Sequence, residues 1–249
     1  MVAVGGEQSS VLPVLSGVPQ GSVLGPLLFI LFINDAVMQI SPGSSLSLFA
    51  DDMSLFCPIL TVEDYWILQC DVNALAAWII DNYLSLQPAK CCSMLISRKR
   101  SCAILPPIIF VGSCPLAKVT SVRYLGVQIN SDLSWSSHIT NLCNKTRRLI
   151  GLMYRQFYKN AAKTLLQLYK IFIRPYLEYC SIVWDPYLVK DIEALEKVQR
   201  FGLRMCLKQW DLNQEQLLQG SNVASLSDRR THAKLSHFYK IVNELADYP

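Results

Sequence analysis

The first 89 residues of this 249-residue sequence contain no lysine or arginine, and the first base is Lys90. The same stretch carries eight acidic residues, so the rest of the chain holds all 23 bases against eleven acids. The formal net charge of +4 therefore conceals two halves of opposite sign. Such segregation favours one half that collects cations and another half that meets a polyanion.

Other absences exclude further classes of protein. None of the nine cysteines forms a CxxC pair and only three histidines are present, which argues against a zinc site. The odd cysteine count predicts reduced thiols in an intracellular protein of the nucleus or cytoplasm. No basic segment precedes an apolar run near Met1, so we expect no secretory signal and no secretion.

The longest apolar run, from Val23 to Ile33, is interrupted by Gly25 and Pro26. It falls short of the roughly 20 apolar residues that span a bilayer. We therefore expect a buried helix here and no membrane partner. Hydrophobic residues make up 51% of the chain and charged residues 17%, which is typical of a chain that folds around a sizeable core.

Local patterns predict mixed structure before about residue 130 and helices after it. Pro26 suits the first turn of a helix, and Ser41-Pro42-Gly43 ends that helix. Residues 61–82 fit a second helix with Thr61 as its N-cap and an inner face advancing at helical spacing. The apolar faces predicted for these two helices are Leu27, Phe29, Ile30, Ile33 and Val37, and then Trp66, Cys70, Ala74, Ala77 and Ile80. Short strands are predicted at 94–96, within 105–111 and at 122–129, and helices at 136–159, 161–181, 190–208 and 228–246, the second broken near Pro175.

Asp51 and Asp52 are the first candidates for chemistry. Leu46, Leu48 and Ala50 alternate before them and an apolar stretch follows, which predicts a hairpin with the two carboxylates at its turn. Adjacent carboxylates repel each other, and a divalent cation relieves that repulsion. Aspartate also favours turns for purely structural reasons, and that alternative stays open on this pattern alone.

Several motifs before and after the two aspartates follow one another in a characteristic order, which favours a catalytic role over a structural one. A Ser-Gly-Val-Pro-Gln-Gly loop at 16–21 leads into the helix at Pro26, and Phe49-Ala50-Asp51-Asp52 follows. Residues 78–90 end in Lys90, and Tyr124-Leu125-Gly126-Val127 comes later, followed by the stretches 165–184 and 192–204. Together, over about residues 14–210, they resemble the reverse transcriptases of non-long-terminal-repeat (LINE-type) retrotransposons.

The resemblance implies roles for these residues. Asp51 and Asp52 would be catalytic and would hold Mg²⁺ or Mn²⁺ for a two-metal nucleotidyl transfer, with Lys90 acting on the pyrophosphate. Gln87 stands where the family usually has Asn, which weakens the match at Lys90. The nucleotide-binding residues would be Gln20, Gly21, Phe49 and Ala50. Tyr124 to Val127 would form the hairpin that grips the primer end, with Tyr124, Leu125 and Gly126 as the primer grip. The implied partners are an RNA template, a DNA primer and deoxynucleoside triphosphates, with the oligomeric state left open.

The implied fold is α+β, with a partial polymerase palm of antiparallel sheet and helices at 1–130 and an all-helical, thumb-like region at 131–249. The family has another catalytic aspartate on a strand before the Gly-Val-Pro-Gln-Gly loop, and only the unmatched Glu7 offers an acid there. We therefore expect an N-terminally truncated polymerase with little activity alone, because members of a catalytic unit act together.

Two alternatives stay open, a non-catalytic nucleic-acid-binding remnant and a fragment with no stable fold of its own. A basic stripe favours the first of them. Five bases fall within about 80° of arc at 100° per residue on the predicted helix at 190–208, and they are Lys190, Lys197, Arg200, Arg204 and Lys208. A solvated helix face explains such a stripe equally well.

Overall fold

The computed structural model describes residues 3–10, 21–97 and 108–245. The chain divides into two units, one formed by Met1–Leu95 with Lys99–Val119 and the other by Ile96–Arg98 with Thr120–Pro249. Both helices and short, mostly antiparallel strand pairs are present, in agreement with the predicted mixture. The assignment of a palm and a thumb stays a prediction.

The first unit is built from short elements. Strand pairs β1–β2, β3–β4 and β6–β7 are antiparallel, and β5 pairs with β8 in parallel. Two 3₁₀ segments, Asn34–Gln39 and Pro88–Lys90, accompany them. The elements are β1 (Ala3–Val4), β2 (Glu7–Gln8), α1 (Gly25–Ile33), β3 (Ser45–Phe49), β4 (Asp52–Phe56), α2 (Glu63–Asp81), β5 (Cys92–Ser93), β6 (Phe110–Val111), β7 (Cys114–Pro115) and β8 (Ala117–Lys118).

Helix α1 begins with Pro26 in its first turn, as predicted. The expectation of a buried helix was wrong, because within the described residues only Gly25 and Ile33 of α1 are buried. Leu27 and Ile30, which were assigned to the inner face, are 54% and 56% exposed. The helix is apolar all round, so periodicity could not choose a face.

Helix α2 buries a different face from the predicted one. Its buried residues are Tyr65, Asp71, Leu75 and Ile79, whereas Trp66 is 64% and Ile80 71% exposed. The observed buried face includes a polar contact. The Asp71 carboxylate accepts hydrogen bonds from the backbone N–H (3.0 Å) and the hydroxyl (2.6 Å) of Ser41. A contact across 30 residues of sequence leaves no trace in helical periodicity.

The predicted N-cap of α2 was also wrong. The N-cap is Val62, and no side chain among the described residues caps the helix. The Asp64 carboxylate accepts the backbone N–H groups of Leu60 and Thr61 at 2.7 Å each, which lowers its pKa. The Asp64 carboxylate therefore stabilises the start of α2 by binding the residues that precede the helix. A carboxylate in the first turn is also favoured by the positive end of the helix dipole.

The second unit begins with a hairpin and continues in helices. Its elements are β9 (Ser121–Tyr124), β10 (Val127–Asn130), α3 (Ser136–Phe157), α4 (Ala162–Leu168), α5 (Arg174–Glu178), α6 (Ser181–Trp184), α7 (Val189–Leu207), α8 (Gln214–Ser221) and α9 (Leu226–Val242). The single strand predicted at 122–129 is two strands with a turn at Leu125-Gly126.

In the first unit, the strand predicted at 94–96 lies slightly earlier in the chain, because the pairing residues are Cys92 and Ser93.

Pro175 interrupts the helix predicted at 161–181, as expected. A π-helical segment, Tyr169–Ile173, separates α4 from α5, and Pro175 lies in the first turn of α5. Proline has no N–H for the helical ladder and its ring crowds the preceding turn, so the chain widens before it.

The buried core of the second unit joins β10 to the helices. Its fully buried side chains include Ile139, Ile150, Leu165, Tyr169, Trp184, Leu195 and Leu203. Gly202 of α7 allows close packing, since a Cβ there would come within 2.7 Å of the Tyr169 ring. Such a core gives this unit one well-defined arrangement.

Candidate functional site

The two candidate catalytic carboxylates lie at the tip of the β3–β4 hairpin. Phe49 pairs with Asp52 across the strands, which leaves Ala50 and Asp51 as the two-residue loop. The predicted hairpin is therefore confirmed, with Asp51 in the turn and Asp52 as the first residue of β4.

The turn forces an unusual backbone conformation on Ala50, whose φ is +51°. Two-residue hairpin loops need positive φ in at least one central residue, because only then does the turn match the twist of the strands. A residue with a Cβ is strained there. At this tip of the hairpin, Asp51 and Asp52 are both exposed.

The chemistry of this tip suits a hard cation. Neither carboxylate is engaged in a hydrogen bond or ion pair with any described residue, so their oxygens are free to accept a ligand. Carboxylate oxygens are the ligands that Mg²⁺ prefers. No group of three or more potential ligand side chains occurs within residues 3–10, 21–97 and 108–245. The hairpin thus presents two unpaired carboxylates that a hard cation could bind.

The other residues assigned to nucleotide binding and catalysis in this unit lie at separate positions. Phe49 is 62% exposed beside the turn. Gly21 is exposed with φ of +84°, a conformation that glycine adopts without strain. Lys90 is exposed at the end of a 3₁₀ segment. Gln20 lies outside the described residues.

The predicted primer grip is the turn of the β9–β10 hairpin in the second unit. Tyr124 pairs with Val127, and the two loop residues have positive φ, +44° at Leu125 and +86° at Gly126. Positive φ at both central positions is the pattern of a type I′ turn, which suits Gly126 but strains Leu125. The family-derived expectation of a hairpin at Tyr124–Val127 is therefore confirmed in structure, and its role stays a prediction.

The predicted basic stripe on α7 is partly engaged by the chain itself. The Arg200 guanidinium donates to the side chain of Gln214, and that of Arg204 donates to the carbonyl of Leu212 at 3.1 Å. Both arginines are half-buried, so they tie α7 to the segment around α8, a helix that was not predicted. The exposed members are Lys190, Lys197 and Lys208.

Helix α3 carries a second row of exposed bases that ends near its C-terminus. Lys145, Arg148 and Arg155 recur at helical spacing and are exposed, while Ile139, Cys143 and Ile150 of the same helix are buried. Two elements of this unit therefore present cations away from the core.

Among the described residues, no helix has the length and apolar character needed to cross a membrane.

Comparisons with known proteins converge on one class. The family described as "Reverse transcriptase (RNA-dependent DNA polymerase)" matches residues 1–129. The chain is 25% identical over 199 residues to "Probable RNA-directed DNA polymerase from transposon X-element" of Drosophila melanogaster, covering 77% of this chain and 22% of that protein. It is 29% identical over 194 residues to "RNA-directed DNA polymerase from mobile element jockey" of Drosophila funebris, covering 74% of this chain and 21% of that protein.

A further relative is "Retrovirus-related Pol polyprotein from type-1 retrotransposable element R1 2" of Nasonia vitripennis, 24% identical over 204 residues, with 77% of this chain and 49% of that protein covered. The chain thus spans about a fifth of the length of the first two relatives. No solved structure matches it.

Proposed function

Because the chain belongs to the reverse transcriptase family, with relatives among polymerases of non-long-terminal-repeat retrotransposons, we propose that it carries part of the nucleotidyl-transfer site of an RNA-directed DNA polymerase. The observation that supports this most is the Asp51-Asp52 pair, exposed and unpaired among the described residues at the tip of a strained hairpin. That hairpin lies inside the part of the chain that the family matches.

The proposed division of labour follows from side-chain chemistry. A bound Mg²⁺ or Mn²⁺ supplies charge neutralisation and activation of the primer hydroxyl. Asp51 and Asp52 hold the cation, and Phe49 presents a flat ring to the sugar of the incoming deoxynucleoside triphosphate. Gly21 lets the backbone approach the nucleotide or template closely. Lys90 neutralises or protonates the departing pyrophosphate.

Catalysis by this chain alone is proposed to be weak. The tip of the hairpin supplies two carboxylates, and no third ligand joins them among the described residues. Members of a catalytic unit act together, so an incomplete set loses most of the rate. In a primer-extension assay with an RNA template, we expect little or no Mg²⁺-dependent or Mn²⁺-dependent synthesis, and robust synthesis would contradict this.

Metal binding tests the site without relying on turnover. In a titration with Mn²⁺, binding is measured as the loss of the electron paramagnetic resonance signal of the free ion. We expect the parent chain to bind Mn²⁺, and Asp51→Asn and Asp52→Asn each to weaken that binding. Asp81→Asn is the matched control, because Asp81 is an exposed acid of the same unit at the end of α2. Equal binding by all three variants would remove the hairpin from the metal site.

The second unit supports nucleic-acid binding as a function separable from catalysis. Exposed bases lie on both α3 and α7, including Arg148, Arg155, Lys190 and Lys208. Contacts between such bases and phosphates release counterions, so affinity should fall steeply as salt rises. Fluorescence anisotropy of a labelled RNA–DNA duplex at several salt concentrations tests this, and a flat response counts against it.

A further inference from the structure

A cavity of about 560 Å³ lies inside the second unit, between the β9–β10 hairpin and helices α3 and α5. Its volume is in the range of pockets that bind small ligands, roughly 300–1,000 Å³. Arg123 and Gly126 line it from the hairpin, Lys145 from α3, and Tyr176 and Tyr179 from α5 and the residue that follows it. The cavity therefore opens beside the turn assigned to the primer grip.

Two cations without acidic partners meet at this cavity. Neither Arg123 nor Lys145 forms an ion pair with any of the described residues, although Arg229, Arg230 and Lys234 of the same unit all do. Among the described residues that line the cavity, none is acidic. The cavity thus has a positive potential that the described residues do not neutralise, which favours an anionic ligand.

The cavity also carries aromatic walls. The Lys145 ammonium lies 4.6 Å from the centre of the Tyr176 ring, a cation–π contact that holds the charge beside an aromatic face. Tyr176 and Tyr179 are 42% and 55% exposed. Cations next to exposed rings are the combination by which proteins bind the phosphates and bases of a nucleic-acid strand.

A neutral polar group completes the lining. The buried His138 ring accepts a hydrogen bond at Nδ1 from the backbone N–H of Gln128, at 3.2 Å, which leaves Nε2–H as its donor. Burial first, and then the charge of Arg123, lower the pKa of His138 below its usual value. The ring therefore adds a polar group to the lining and no further charge.

We propose that this cavity binds one nucleotide unit of a nucleic-acid strand, with its phosphate on Arg123 and Lys145 and its base against Tyr176. The inference rests on the strand binding proposed for the second unit and adds a discrete subsite to it. The other exposed bases of α3 and α7 bind the backbone of the strand at several phosphates, whereas the cavity binds a single phosphate and a single base.

The phosphate contacts are tested first, with the full chain and a labelled single-stranded oligonucleotide followed by fluorescence anisotropy. Arg123→Gln and Lys145→Gln should each weaken binding and reduce the slope of log affinity against log salt by about 1. The Tyr176→Leu variant should weaken binding on the order of tenfold through lost stacking. Lys240→Gln serves as control, since Lys240 is an exposed base of α9 that lies outside the cavity and outside the basic surfaces of α3 and α7.

The base contact needs its own readout. A series of oligonucleotides, each with one abasic site, should contain a position at which the loss caused by Tyr176→Leu disappears. At that position the base is already absent, so removing the ring costs nothing more. A loss that stays the same at every abasic position assigns Tyr176 no base and overturns the proposal.

Three other results separate this proposal from its alternatives. If Tyr176→Leu lacks its effect and the two cavity cations behave like Lys240→Gln, the cavity proposal fails while strand binding stands. If the chain binds no strand at all, the proposed nucleic-acid function fails as well. If free dATP competes with the strand in the parent chain and not in Arg123→Gln, the occupant is a free nucleotide and the strand assignment is overturned. Thermal unfolding at the parent temperature confirms that each variant is folded.

Discussion

The phenol hydroxyl of Tyr179 donates a hydrogen bond of 2.9 Å to the carbonyl oxygen of Leu125, 54 residues earlier in the chain. Leu125 has φ of +44°, a conformation that a bulky residue adopts only when its surroundings hold it there. The bond from the end of α5 therefore fixes the turn that is assigned to the primer grip, and the strain of the turn depends on a distant helix.

Tyr179→Phe should loosen this turn without disturbing the core. Loss of one such hydrogen bond costs about 0.5–1.5 kcal/mol, and the partial exposure of Tyr179 places the expected cost at the lower end. Urea unfolding measures the cost, and amide exchange should quicken at Gly126 and Val127. Tyr187→Phe is the control, because Tyr187 is 73% exposed. Unchanged exchange at the turn would show that the bond does not hold it.

Gly126→Ala should destabilise the same turn for two reasons. A residue with a Cβ is strained at φ of +86°, and that Cβ would lie 3.3 Å from Cε1 of Tyr179. We expect a loss of about 1–2 kcal/mol in the free energy of unfolding. Gly151→Ala, inside α3 with open space around it, should instead gain up to about 1 kcal/mol. Opposite signs for the two substitutions are the expected result, and equal signs would contradict it.

Local signals predicted some parts of this fold and left others out. Alternation at Leu46 and Leu48 before two aspartates predicted the β3–β4 hairpin, because all the information for that turn lies within a few residues. The family motif, and not periodicity, placed a hairpin at Tyr124–Val127. Proline chemistry predicted the interruption at Pro175, since the missing N–H acts on its own helix.

Contacts between distant residues account for the failures. Helix α2 has apolar residues on most sides, and the side it buries includes Asp71, which is bonded to Ser41. The stripe on α7 was predicted to be exposed because the sequence near α7 does not indicate its tertiary hydrogen bonds. Arg200 donates to the side chain of Gln214, and Arg204 donates to the carbonyl of Leu212. The cavity was missed for the same reason, since Arg123 and Lys145 come from different elements. The one local feature of the sequence that could have pointed to the cavity is Arg123, a base two positions before the Leu125-Gly126 turn.

Asp185→Ala should be the most destabilising of the substitutions considered in the second unit. The Arg230 side chain is 2% exposed and donates from Nε to Asp185 Oδ1 at 2.8 Å, and Lys234 binds the other oxygen. Removing the carboxylate leaves a buried guanidinium without its ion-pair partner, at a cost of about 3–5 kcal/mol.

The exposed pair of Glu193 and Lys197, 3.9 Å apart, provides the matched control for that change. Glu193→Ala should cost less than about 1 kcal/mol, because an exposed pair gains little in water. Urea unfolding of both variants measures the difference. A similar small cost for both would mean that burial of Arg230 does not depend on Asp185.

His138 predicts a pH dependence of stability with a definite sign. Burial and the nearby Arg123 lower its pKa from the ordinary value of 6.5. As pH falls below about 6.5, the unfolded chain therefore takes up a proton at His138 before the folded chain does. The contribution of His138 to stability is complete above that value and is lost as pH falls towards the lowered pKa of the folded state.

The structure gives this shift a geometric counterpart. Protonation at Nδ1 would turn the acceptor of the Gln128 N–H into a donor and break that bond. Urea unfolding between pH 8 and pH 5 should show stability falling with pH in the parent chain, and His138→Gln should flatten the fall. The exposed His232 supplies the control, since His232→Gln should leave the slope as it is in the parent. A slope that is identical in the parent and both variants would exclude His138 as its source, and the neutral ring assigned to the cavity wall would lose its support.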